Sequence, residues 1–258
     1  MGKYFTVEVK PTIAGSAQLA AFSADDVLFD WTSFQVPRGA NKLHAATIKM
    51  SGANGGQQDG AKIDVDLIFA KSINNIAPAT IGTANTTVSA APVVKNHILG
   101  MTRFTSGTDY GAEAFDYFLV GSTGSGGNAS NKPDIVLKGD QDENNVGYDT
   151  LYIAGIAGNT GIDFGTTVIT RGAITDDATV VVPTDAGSND DPNADLIFAV
   201  GDVIHTGTDD VVGTISSIAA FGSSKQDITF TAGITADLAD NEELLNINPI
   251  QIILSFEK

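Results

Sequence analysis

Cysteine is absent from the chain, so no disulfide and no thiolate metal site holds it together, and zinc ribbons and thiol nucleophiles are excluded. Histidine is scarce: His44, His97 and His205 are the whole supply, and no GxSxG or HExxH pattern surrounds any of them. Without a base placed beside a nucleophile, the expectation is no catalytic residue. Aromatic rings other than phenylalanine are few, with five tyrosines and one tryptophan, which argues against the aromatic-lined cleft in which paired carboxylates cleave sugars. No apolar run approaches the ~20 residues of a spanning helix; HILGMTRF and NPIQIILSF are short and strand-like. The opening MGKYFTVEVK has neither the apolar stretch nor the small-residue cleavage site of a secretory signal. The glycine runs SGANGGQQDG and GSTGSGGNASN lead into no GK[ST] and no clear helix, so they are loops rather than phosphate cradles.

Basic charge is also in short supply, and unevenly so. Residues 1–130 hold nine Lys/Arg against ten Asp/Glu, whereas residues 131–258 hold five against 21, which accounts for most of the formal charge of −17. A field of that sign repels phosphate backbones and anionic lipid heads, so neither nucleic acid nor membrane is expected as a partner. The acidic half reads either as a solubilising shell or as an assembly surface.

Strand patterns fill the rest. FTVEVK, VLFDWTSFQV, LHAATIKM, KIDVDLIFA, TLYIAGI, ADLIFAVGDVI, DITFTAG and PIQIILSFEK are rich in Val, Ile, Thr and Phe and are bounded by Gly, Asn, Asp or Pro. In KIDVDLIFA, Ile63, Val65, Leu67 and Phe69 alternate with Asp64, Asp66 and Ile68, which predicts a half-buried antiparallel strand. Trp31 is expected in the core with Leu28, Phe29 and Phe34. The best helical patterns, SAQLAAFSADD, GAEAFDYF and TADLADNEELL, each run about two or three turns. The fold expected is therefore all-β: an antiparallel, jelly-roll-like β-sandwich with a second, acidic, small barrel-like domain. Because the tail PIQIILSFEK alternates like the opening strand, the sandwich is expected to comprise residues 1–149 plus 247–258. Residues 150–246 then form the insertion; a simple tandem of two domains is the alternative.

No cofactor is required by this reading. Calcium is the one ion the loops suggest, because GDQDENNVGYD spaces oxygen ligands at Asp140, Asp142 and Asn144. An EF-hand would need glycine and glutamate where Asn145 and Leu151 stand, so a solvated acidic turn is the simpler reading. Asp185, Asp190, Asp191 and Asp195 around Pro192 form a second acidic loop without a defined ligand spacing.

FSADDVLFDWTSFQVPRGANKLHAATIKM followed by IDVDLIFAKS resembles virion structural proteins of marine tailed bacteriophages over about residues 1–75, most clearly at Phe29, Asp30, Trp31 and Thr32 leading to Val36, Pro37, Arg38 and Gly39. The resemblance implies a particle component without catalytic residues. The long spine helix of a major capsid protein has no counterpart in the pattern, which favours a head decoration or auxiliary capsid protein. On that reading the protein is made in the bacterial cytoplasm and ends in the virion. Lys3, Lys10, Arg38, Lys42 and Lys49 would dock on the major capsid protein or another virion protein, the acidic half would face solvent, and a homo-oligomer such as a trimer would close the β edges. The alternative is a carbohydrate- or receptor-binding module on a tail or fibre.

Overall fold

The computed structural model describes residues 3–50, 64–89, 95–104, 118–121, 133, 135–140, 147–165, 168–175, 181–185, 194–220 and 225–258. Alternation at the two ends of the chain builds one sheet. β1 (Tyr4–Val9) pairs with β15 (Ile250–Glu257), which pairs with β3 (Asn41–Met50). Beyond β3 lie β6 (Phe118–Gly121) and β7 (Ile135–Leu137), one after the other along the same strand, so the sheet has five strands but is four across. The facing sheet runs β2 (Val27–Pro37), β8 (Tyr148–Ala157), β4 (Val65–Lys71), β5 (His97–Phe104). All these ladders are antiparallel, and the inward residues Phe29, Leu43, Leu67, Phe69, Ile252 and Phe256 make a dry core between the sheets. The expected antiparallel sandwich is present.

Three local expectations change. β4 is buried on both faces, not one. It is a central strand, and its second face is covered by a small cluster of Val27, Ile68, Ile81, Ala154 and Ile156, while buried Asp66 accepts from Arg103 Nε at 2.7 Å. Trp31 leaves its neighbours: Leu28, Phe29 and Phe34 enter the main core, whereas Trp31 packs half-buried on the small cluster and donates its indole N–H to the Ala79 carbonyl at 2.9 Å. Register shifts between Phe29 and Thr32 against β8 break the alternation that would have kept the residues together. Finally, the composition break at residue 150 falls inside β8, whose residues from Leu151 to Ala157 pair with β4, and the core of the sandwich continues through Ile162 and Phe164.

The strands between residues 168 and 246 form a second β unit. β9 (Ile169–Thr170), β10 (Val181–Asp185), β11 (Val203–Thr206), β12 (Val211–Ile218), β13 (Lys225–Phe230) and β14 (Leu244–Asn246) lie in the order β14-β11-β12-β13-β10-β9. The two ends of that order meet. Leu244 N–H donates to Val168 O at 2.9 Å, Thr170 N–H donates to Glu242 O at 2.9 Å, and Ile169 bridges Glu243. The six strands thus curl into a small barrel-like sheet that these bonds close at its seam. Val182, Phe198, Ile204, Val212, Ile228 and Phe230 fill it, as a core separate from that of the sandwich. Of the helical patterns, SAQLAAFSADD yields one turn, α1 (Gly15–Gln18), and TADLADNEELL yields turns and β14. The third, GAEAFDYF, lies outside the described residues except for Phe118. α2 (Ala194–Ile197) is a second single-turn helix.

α1 joins the two units. Ile13, in the sandwich core, donates its N–H to Ile247 O at 3.0 Å, and Gly15 lies so close to β11 that a Cβ there would collide with the Thr206 carbonyl oxygen. Ser16 donates through its amide at 3.1 Å and its hydroxyl at 2.8 Å to Asp209. Gln18, wholly buried, donates from Nε2 to Ile13 O at 2.8 Å and Asn246 O at 3.0 Å, and the same nitrogen lies 3.1 Å from His205 Nε2. The amide nitrogen carries two hydrogens for three acceptors, so the His205 contact shares one of them, with the amide the donor and the imidazole nitrogen the acceptor. Burial holds His205 below the ordinary imidazole range, despite the pull of nearby Asp209.

Candidate functional site

The outer face of the β1-β15-β3 sheet can be read row by row from its register. Tyr4, Glu257 and Lys42 lie side by side; the next rows carry Thr6 and Ser255, then Glu8, Ile253 and Thr47, then Gln251 and Lys49. Lys10 follows directly after β1. Lys42 and Lys49 are an odd number of positions apart, so unbroken alternation would put them on opposite faces. A register shift at Ser255/Phe256 opposite Ala45 and Leu43 leaves His44 as an extra residue, and beyond it both lysines project outward.

Polar contacts fix this face. His44 Nε2 lies 2.8 Å from Glu257, Tyr4 donates its hydroxyl to the same carboxylate at 3.4 Å, and the Tyr4 and His44 rings are 5.9 Å apart. The bond from His44 holds the Glu257 carboxyl below the usual carboxylate range. Gln251 donates its amide to Glu8, which also takes an ion pair from Lys10 at 3.3 Å, and the Gln251 bond is the larger reason that Glu8 stays below its ordinary pKa. Three lysines therefore stand against two carboxylates on one sheet face, one of those carboxylates being bonded to His44.

Across the junction the sign reverses. Arg171 and Lys225 are the two cations between residues 150 and 246, against fifteen Asp and Glu, and Lys225 is paired with Asp227 at 3.4 Å. At Asp209 burial alone would raise the carboxyl, but bonds from Ser16 and Gly15 outweigh it and hold it low. A cleft of about 260 Å³ marks the boundary, with Lys10, Lys49 and Gln251 on the sandwich side and Asp195, Phe198 and Asp202 on the barrel side. A shallower groove of about 460 Å³ lies at the opposite end of the sheet face, between Tyr4, Phe5, His44 and Phe256.

Of the docking residues expected from sequence, Lys10, Lys42 and Lys49 come together on this face, and Lys3 sits exposed just ahead of β1. Arg38 is separate: at the β2–β3 turn its Nε lies 3.9 Å from buried Asp149, which also accepts the Gly39 N–H at 3.0 Å. The turn needs Gly39, whose φ is 108°. Of the calcium candidates, Asp140 forms an isolated bridge with Thr150, and its carboxylate lies 3.4 Å from Asn75 N. Asp142 and Asn144 lie outside the described residues, as do Asp190 and Asp191. Among the described residues no group of three or more His, Asp or Glu could hold a metal ion. His97 opens β5, opposite Lys71, while His44 and His205 lie on β3 and β11, so the three histidines occupy three different strands. Sequence reading missed Gln18 and Gln251, whose partners His205 and Glu8 are 187 and 243 positions away.

No protein-family description matches the chain, and no curated protein matches it. Among solved structures, the dimeric latent PorU from Porphyromonas gingivalis is similar at 11% identity with a TM-score of 0.12, over 95% of this chain and 21% of that one. At that score the likeness carries no argument about fold or function.

Proposed function

We propose that the chain is a non-enzymatic structural protein of a tailed-phage virion, a decoration or auxiliary head protein that binds the shell through the outer face of β1-β15-β3. The observation that carries the reading is the division of charge between two β units: lysines gathered on one sheet face, carboxylates concentrated in the barrel beyond it. Such a division orients a protein on an acidic surface, lysine face inward and acidic barrel toward solvent. The partner is the major capsid protein or another virion protein, and the site of action is the particle. Affinity purification of the tagged chain from infected cells, with identification of bound proteins, tests this; recovery of shell proteins is expected, and recovery of tail proteins alone overturns the head assignment.

One observation favours a second reading, a carbohydrate- or receptor-binding module on a tail or fibre. Exposed Tyr4 and neighbouring His44 border the 460 Å³ groove with a ring and hydrogen-bonding groups together. Glycan-array binding by the purified chain, lost in Tyr4→Ala, is the result that would prefer it.

A further inference from the structure

Strand β1 is the edge of its sheet: β15 lies on one side, and among the described residues no strand forms a ladder on the other. β2, the edge of the facing sheet, approaches it at the corner of the sandwich without pairing. Phe5 and Val7 point inward and pack on the core, yet they remain only half-buried, while Val9 further along is fully buried. Among the described residues the core is thus open on this side.

Edges of soluble sheets are normally blunted by proline, a bulge or an inward charge. Tyr4–Val9 has none of these: it pairs with β15 in continuous register, and its single charge, Glu8, points outward. An edge that is regular and apolar on its inner side is a template for another strand. Its own sequence fits that role. Two antiparallel copies keep inner residues opposite inner residues only if the two-fold axis passes through a residue rather than between two. With the axis at Thr6, Phe5 faces Val7 of the second copy and Tyr4 faces its Glu8, so the half-buried apolar pair closes over itself. The two Glu8 carboxylates are then four positions apart along the ladder, ~13 Å. An axis at Val7 would bring them to ~7–8 Å as diagonal neighbours. Like-charge repulsion rules out the second, and an axis at Phe5, though it parts the carboxylates further, would pair only residues 4–6 of the strand instead of 4–8.

We propose that two copies of this chain pair antiparallel along β1 about a two-fold axis at Thr6, making one continuous sheet. A two-fold normal to the sheet keeps both outer faces on the same side, so the Lys42 and Lys49 rows of the two copies become a single surface. The occupant of the edge is a second copy because the register and the Glu8 spacing complement themselves. Pairing along one short strand buries little area, so the dimer is weak, in the micromolar range. It does not depend on the virion reading, since sedimentation detects it without any shell.

The absence of cysteine gives a sharp test. Directly opposite residues in an antiparallel ladder have Cα atoms ~4.5–5.5 Å apart, within disulfide reach. Thr6→Cys, at an exposed position, is expected to give at least about tenfold more covalent dimer under mild oxidant than Tyr4→Cys, which is also exposed, keeps Glu8 in place and leaves its two copies four positions apart at ~13 Å, out of range. Analytical ultracentrifugation of the wild-type chain is expected to show a concentration-dependent monomer–dimer equilibrium. Equal cross-linking by the two variants, or a wild-type chain that stays monomeric into the millimolar range, overturns the proposal.

Discussion

Phe256→Ala is expected to destabilise the sandwich by about 3–5 kcal/mol, the range for truncating a fully buried phenylalanine. The ring has no exposed surface and sits in β15, between β1 and β3. It stacks on Phe5 at 5.2 Å and on Phe34 of the facing sheet at 6.4 Å, so it ties the edge strand, the central strand and the opposite layer together. Truncation removes the transfer free energy of the ring and leaves a cavity that three rigid strands cannot fill. Phe256→Leu, which keeps most of the volume, is expected to cost far less, about 1.5 kcal/mol. Urea unfolding followed by tryptophan fluorescence isolates the effect, because Trp31 is the chain's one tryptophan and belongs to the sandwich. A loss below about 1 kcal/mol for the alanine variant would mean that Phe256 is not packed as described.

The second large effect concerns the junction. Gln18→Ala is expected to cost about 3 kcal/mol, because it strands the buried carbonyls of Ile13 and Asn246 and leaves His205 without its donor. Those acceptors lie on both units, so the loss should appear as weakened coupling between them as well as lower stability. The same contact predicts a pH dependence. His205 accepts through Nε2, and a protonated ring would instead direct an N–H at the Gln18 amide. Burial disfavours the charged ring most, and the facing Asp209 carboxylate and the Asn246 backbone carbonyl offset only part of that. Since the folded-state pKa lies below the unfolded value of about 6.5, the unfolded chain binds more protons in the window beneath that value. Stability is therefore full above about pH 6.5 and falls as the pH drops toward the folded pKa, by at most about 1.4 kcal/mol per pH unit. The lowered carboxyls of Glu8, Asp209 and Glu257 act in a separate, more acidic window, where their own stabilisation is lost. Urea midpoints measured from pH 7.5 to 5 should fall for the wild-type chain and stay nearly level for His205→Asn. Parallel curves would remove His205 as the cause.

Fold class was readable because strand alternation is local: FTVEVK and PIQIILSFEK show in sequence the faces they present in β1 and β15. What sequence could not supply was register. The bulge at His44 decides that Lys42 and Lys49 share a face, and the shifts along β2 decide that Trp31 leaves the core its neighbours enter. Neither irregularity is carried by a glycine or proline at that position, so pattern reading passes over both. The composition break near residue 150 was real as a change of charge but not as a change of structure, because β8 needs Leu151, Ile153 and Ala157 for the first core. Gln18 was hidden for a different reason. A glutamine in a short helical pattern reads as solvent-facing, and only the approach of β11 and β14, nearly two hundred residues later, buries it.

The claim on which the functional reading rests is that the outer face of β1-β15-β3 is the docking face. Co-sedimentation with empty shells assembled from the major capsid protein tests it directly, comparing the wild-type chain with the Lys42→Glu/Lys49→Glu double variant over a range of salt. The wild-type chain should pellet with shells and weaken as salt rises, and the double variant should bind about tenfold more weakly, equivalent to about 1.4 kcal/mol. Binding of the double variant equal to that of the wild-type chain at low salt would contradict the account.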